Sequence, residues 1–186
     1  MPNSEVFSLT LRYMNFKDYI RLKAISRFIR KNFNTHEHER KPITLENAQL
    51  IGIIFHGDKY EEMLAAMEYA KKLNGFKKNV KLLGYINQKK IVESYPFPFF
   101  SKTDLNWLKR PSCQQVDSFV NIEFDILINL STYVTPPLEF IAGSSKAKFR
   151  VGLYTETKLP HYDFLIHISE NPSVEKLISN IETYLR

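Results

Sequence analysis

The chain has 186 residues, of which 44% are hydrophobic, 25% charged and 13% aromatic, with only 6 Gly and 9 Pro and a formal charge of +6. That length holds one domain with a proper core rather than two full-sized ones, and the composition excludes a disordered, collagen-like or repeat-built chain. The single cysteine, Cys113, cannot close an internal disulfide, no apolar run approaches the ~18 residues of a membrane span, and no secretory h-region opens the sequence, so a cytoplasmic protein is expected.

Positive charge is concentrated at the start. Residues 1–45 hold nine Lys and Arg against four Asp and Glu, whereas residues 46–186 hold 17 against 16. This divides the chain into a basic N-terminal helical arm with its linker (1–45) and an α/β body (46–186). Within the arm, Lys17 to Phe33 reads as a helix. Leu22, Ile25 and Ile29 recur at helical spacing, and Arg21, Lys23, Arg27, Arg30 and Lys31 occupy much of the remaining surface. Asn15 is a candidate N-cap, and Asp18 suits the positive end of the helix dipole. The apolar stripe fits docking on the body. The five basic residues are the candidate contacts to a polyanion (RNA, a ribosome or other ribonucleoprotein, DNA) or to an anionic membrane surface. Asn34 to Pro42 has no periodicity and reads as a linker.

After Pro42, short apolar strands alternate with helices. Leu50 to Phe55 is a strand, and a helix follows to Leu73 with Met63, Ala66, Met67, Ala70 and Leu73 on one face and Asn74-Gly75 as its stop. Val80 to Ile86 is the next strand, which completes a βαβ unit. Lysines 71, 72, 77, 78, 81, 89 and 90 follow one another with no acid between them, a second basic run. Lys89 to Asn121 is the least regular stretch. Its Pro96-Phe97-Pro98-Phe99-Phe100 segment is expected to cap an edge or face of the sheet, with a lid or a protein-docking patch as the alternative, and Thr103 to Lys109 is a candidate short helix containing Trp107.

The alternation then returns. Asp125 to Leu130 is a strand, Pro136 to Ser145 a helix, and Phe149 to Tyr154 and Asp163 to Ile168 are strands. Asn171-Pro172 opens a final helix bearing Val174, Leu177, Ile178, Ile181 and Leu185 on one face. The link from Tyr154 to Asp163 is too short for a helix, leaving an extended crossover or an antiparallel pairing. The expected fold is therefore α/β: a single Rossmann-like three-layer domain, its mostly parallel sheet of about five strands preceded by the basic helix.

Motif chemistry is sparse. No G-x-G-x-x-G or G-x-x-x-x-G-K-[ST] follows the first strand. Its turn, His56-Gly57-Asp58, places an acid where a phosphate would need backbone N–H groups, and Asp58 reads first as an N-cap. There is no G-x-S-x-G elbow, Cys113 has no visible partner base, and His36-Glu37-His38-Glu39 lacks the second cluster that a metal site needs; neither metal nor cofactor is expected. Position is more informative than motif, because ligands of parallel α/β sheets bind beyond the strand C-termini. The residues falling there are His56, Asp58, Asn87, Gln88, Ser131, Thr132, Thr155, Glu156, Ser169, Glu170 and Asn171. Of these, His56, Asp58, Asn87, Ser131, Thr132, Glu156 and Glu170 are the candidate ligand-binding set, a polar rim suited to a sugar or nucleotide derivative.

Two resemblances accompany this reading. Phe124 to Leu130, then Phe140 to Gly143 and Lys148 to Leu153, resemble a strand–helix–strand segment in the acceptor-side domain of heptosyltransferase-type glycosyltransferases. Those enzymes use two Rossmann-like domains and this body holds one, so no catalytic residue is carried over. The basic first helix, I-G-I-I-F, F-D-I-L-I-N-L-S, F-R-V-G-L-Y and Y-D-F-L-I-H-I together resemble an uncharacterised family of small cytoplasmic α/β proteins of Bacteroidota-type bacteria. Together, the arm and the rim predict a binding or interaction protein docking on a larger assembly, polyanion or protein partner. The alternatives are a small enzyme or ligand sensor using the rim, and a peripheral membrane-surface protein.

Overall fold

The computed structural model describes residues 16–32, 42–91, 94–155, 161–169 and 171–186. Its elements in chain order are α1 (Phe16–Asn32), β1 (Leu50–His56), α2 (Tyr60–Gly75), β2 (Asn79–Ile86), β3 (Phe99–Ser101), α3 (Gln114–Val120), β4 (Ile126–Asn129), α4 (Pro136–Ser144), β5 (Phe149–Leu153), β6 (Phe164–Ile166) and α5 (Val174–Tyr184). The strands form one sheet of 6 in the order β3-β2-β1-β4-β5-β6, and every pairing is parallel. Both faces are covered, as a parallel sheet requires. On one side Ile51, Ile53, Phe55, Ile86, Ile126, Ile128 and Val151 pack under α2 and α5. On the other, Ile54, Leu83, Tyr85, Phe100 and Leu127 pack under α3 and α4. The α/β three-layer expectation thus holds, with one strand more than expected.

The α1 helix forms a further layer outside α4. Leu22, Ile25 and Ile29 are buried, Phe140 joins Ile25 and Ile29 in one cluster, and Ile29 crosses directly over Gly143, where a Cβ would come 3.0 Å from Ile29 Cγ1. Polar contacts fasten its outer end. The Asp18 carboxylate takes Arg21 Nη1 at 2.9 Å and Lys109 Nζ at 2.9 Å, Arg21 Nε donates to the Trp107 carbonyl at 3.2 Å, and the Arg110 guanidinium lies 3.5 Å from the Phe28 ring centre. Asn15, Phe33 and the linker as far as Lys41 are outside the described residues.

Several expectations need correction. The Pro96–Phe100 segment caps the sheet as expected, with Phe97 over Gly84, but it also runs into a short edge strand, β3, that was not expected. The stretch after it holds only a single 3-10 turn, Lys102–Asp104, closed by a capping box in which Ser101 N donates to Asp104 Oδ2 at 2.7 Å; Trp107 lies in a turn, 80% exposed. Helix α3 follows, where no helix was expected. Of the two forms left open for the link into β6, it takes the crossover between parallel strands and not the antiparallel pairing. The final helix is capped by Ser173, whose Oγ accepts from Lys176 N at 3.3 Å, while Asn171 stands two residues earlier at φ 42.

Candidate functional site

The chain leaves β1 toward β2 on one side of the sheet and later returns to β4 on the other. The crevice beyond the C-terminal ends of β1 and β4 is therefore the switch point of the topology, the place where doubly wound sheets hold ligands. Four residues of the predicted rim meet there: His56 at the end of β1 and Asp58 just past it, with Ser131 and Thr132 after β4. Glu62 joins them from the first turn of α2, with Lys59, Tyr133 and Thr135. Asn87 lies one strand away, exposed, and accepts a hydrogen bond from Tyr85 Oη at 3.0 Å. Glu156 and Glu170 lie outside the described residues, as do His36 to Glu39.

The cluster is tightly connected. The His56 ring stacks on Tyr133 with 4.5 Å between centres and 8° between planes, and its Nε2 lies 3.4 Å from Thr135 Oγ1. Lys59 Nζ sits 4.1 Å from the centre of the same Tyr133 ring and 3.1 Å from Glu62 Oε1, which also accepts from Thr132 Oγ1 at 2.9 Å. Asp58 does not cap α2, contrary to expectation: the N-cap is Lys59, with no side-chain cap bond. Both carboxylates, Asp58 and Glu62, instead turn toward the crevice, where with burial they raise the Tyr133 phenol above its ordinary pKa; burial first and Asp58 second do the same to Tyr85. Gly57 lets the turn pass under Ile86 and Phe97, since a Cβ would stand 2.8 Å from Ile86 Cδ1.

Four side-chain atoms in this cluster are buried with no hydrogen-bond partner: His56 Nδ1, Asp58 Oδ1, Glu62 Oε2 and Ser131 Oγ. A buried polar atom left unpaired costs about 1–3 kcal/mol, so four such atoms in one crevice are expensive unless something else pairs them. Glu62, Tyr133, Lys59 and Thr135 escaped sequence reasoning. The position of Glu62 in the first turn of the helix that follows Asp58 was the available signal for one of them. Among the described residues no three His, Cys, Asp or Glu side chains gather as a metal site.

Burial, with Lys59 adding to it, pushes the His56 imidazole down to about 3. Unfolding restores its ordinary value near 6.5, so between these limits the unfolded chain binds the extra proton and stability falls as pH falls. The His56 share of this loss should be on the order of 1 kcal/mol per pH unit below about pH 6. Urea midpoints measured from pH 7 to pH 4 should therefore drop less steeply for His56→Phe, which keeps the stack on Tyr133, than for the natural chain. Parallel curves would show that His56 is not held neutral.

Among the described residues no helix is long and apolar enough to cross a membrane. No curated protein and no solved structure matches the chain, so the resemblances to heptosyltransferases and to proteins of one bacterial group gain no support. A model of a family of unknown function, DUF6913, matches residues 21–186, from the first turns of α1 through the whole sheet. The chain belongs to that family.

Proposed function

We propose that the protein binds a small polyhydroxylated ligand of the sugar class in the crevice between the ends of β1 and β4. The observation that carries this reading is the convergence there of His56 Nδ1, Asp58 Oδ1, Glu62 Oε2 and Ser131 Oγ, buried and unpaired. Two carboxylates accept from hydroxyl groups, while the serine hydroxyl and neutral imidazole offer a donor or an acceptor each. The same carboxylates, at the start of α2, repel a phosphate, which ranks a sugar above a nucleotide. A thermal-shift and calorimetry screen with monosaccharides, sugar alcohols and nucleosides tests this. One sugar-type compound should stabilise the fold, by about 2.7 kcal/mol at a hundred times its Kd. Asp58→Asn and Ser131→Ala should each weaken binding about fivefold to a hundredfold while leaving a cooperative melt. A ligand that binds equally well to both variants would place the site elsewhere.

A second reading concerns α1, where Lys23, Arg27, Arg30 and Lys31 are exposed while the apolar stripe faces the body. That outward basic face supports the docking of a polyanion such as RNA. Its affinity would fall steeply with salt and drop when the four are changed to Glu.

A further inference from the structure

We infer that the free edge of β2 is a docking site for an extended peptide segment of a partner, carrying an acidic residue two positions from an apolar one. The edge strand β3 pairs only with Gly84, Tyr85 and Ile86. In a parallel ladder alternate residues bond to opposite neighbours. Asn79 N donates to Gln49 on the β1 side, and Gly84 N donates outward to the Pro98 carbonyl. Val80 and Leu82 therefore point their peptide groups outward, ahead of the start of β3. The Val80 N–H is taken by Asn74 Oδ1 at 3.3 Å. The Leu82 N–H and the carbonyls of Val80 and Leu82 have no strand beside them among the described residues. Pro98, which has no N–H, cannot extend the ladder to Leu82.

Among the described residues the lane beside these groups is open, because the chain from Pro96 to Pro98 leaves it before β3. Phe97 turns out of line to lie over Gly84, and Pro96–Pro98 forms one wall. Helix α3 forms the other wall, with Ser118, Phe119 and Ile122 along the groove, whose volume is about 550 Å³. Unpaired edge groups at the floor of an apolar slot are the features used when a peptide adds a strand to a sheet. Side chains of Lys81 and Leu83 fall on the α3 side, two residues apart. Lys81 is exposed and is the charged member of the lining, and Leu83 packs toward Phe119. A strand laid along β2 presents every second side chain to that wall, so one meets the lysine and the next meets Leu83 and Phe119. A second copy of this chain pairing antiparallel by the same edge about Leu82 would bring the Lys81 side chains of both copies near each other, and this like-charge cost favours an acidic partner.

The test uses the full chain and a fluorescent peptide of repeated Glu-Thr-Val-Thr units. Fluorescence polarisation should show saturable binding, weakened about tenfold or more by Lys81→Glu and by Ser118→Trp, which fills the groove from an exposed position. Binding should also slow hydrogen exchange at the Leu82 amide, a change that purely electrostatic attachment would not produce. Equal affinity for a peptide with lysine in place of glutamate, unchanged affinity in both variants, or no saturation up to about 1 mM would overturn the inference. So would a concentration-dependent dimer abolished by Ser118→Trp, which would give this edge to a second copy.

Discussion

Replacing Glu139 by alanine should destabilise the protein by about 3–5 kcal/mol, the range for breaking a buried charged network from one side. Glu139 lies on the first turn of α4, 3% exposed. Its Oε1 accepts from Tyr162 Oη at 3.1 Å and from Asn129 Nδ2 at 3.3 Å, and its Oε2 meets His161 Nε2 at 2.8 Å. Asn129 Nδ2 also donates to Tyr162 Oη at 2.7 Å, and Asn129 Oδ1 accepts from Ser131 N at 3.1 Å. One carboxylate thus ties the end of β4 to the segment entering β6, and it fixes the Asn129 side chain whose Oδ1 holds the peptide N–H of Ser131. Burial, with the Glu139 charge behind it, keeps the Tyr162 phenol protonated well above its ordinary range, so the donor is present at any working pH. Alanine would leave the Tyr162 hydroxyl proton and His161 Nε2 without their partner and take one of the two bonds of Asn129 Nδ2, whereas Glu139→Gln keeps an acceptor for Tyr162 and should cost about 1–2 kcal/mol. Urea unfolding at constant m-value measures both. An alanine variant within about 1 kcal/mol of the natural chain would show that the network contributes little to stability.

Neither this network nor the crevice beside it was written in the sequence as a motif, while most of the sheet was. Strands β1 and β4 are buried on both faces and read as continuous apolar runs, β2 and β5 keep enough apolar residues around Lys81 and Arg150 to read as strands, and Ala66, Ala70 and Leu73 mark the inner face of α2 by their spacing. The edge strand β3 was hidden because its three residues sit in a proline-flanked aromatic run, where strand and cap read alike. Helix α3 was missed because only Val116 and Phe119 of its seven residues are buried, too few to show a period. The location of the crevice followed from topology alone, which is why His56, Asp58, Ser131 and Thr132 were named together. Glu62, Tyr133, Glu139 and His161 were not, because what joins them is contact across 10 to 79 residues of chain, as in the Glu139–Asn129 and His56–Thr135 pairs. A single sequence carries no sign of such contacts.

The α1 helix is the element whose role the sequence left most open, and Ile25→Asp is the variant that decides how far the body depends on it. Ile25 is 0% exposed and packed with Ile29 and Phe140, in a cluster whose Phe28 and Phe140 rings are covered by the Arg110 guanidinium. A carboxylate in this apolar cluster would either ionise at a cost of several kcal/mol or force the helix off α4, uncovering Phe140 and the Gly143 surface. The expected result is a loss of about 4 kcal/mol or more of unfolding free energy, with reduced helical circular dichroism before the main transition. Salt should not restore it, because the lost interaction is burial rather than screening of surface charge. The control changes Lys23, Arg27, Arg30 and Lys31 to Glu. These side chains are exposed, so the midpoint should move by no more than about 0.5 kcal/mol per position, whatever happens to polyanion binding. If Ile25→Asp unfolded like the natural chain, α1 would be a loosely held arm and its basic face the better guide to what it does. If the aspartate variant fails while the charge-reversed variant folds normally, the apolar stripe serves the fold and the basic face is free for a partner.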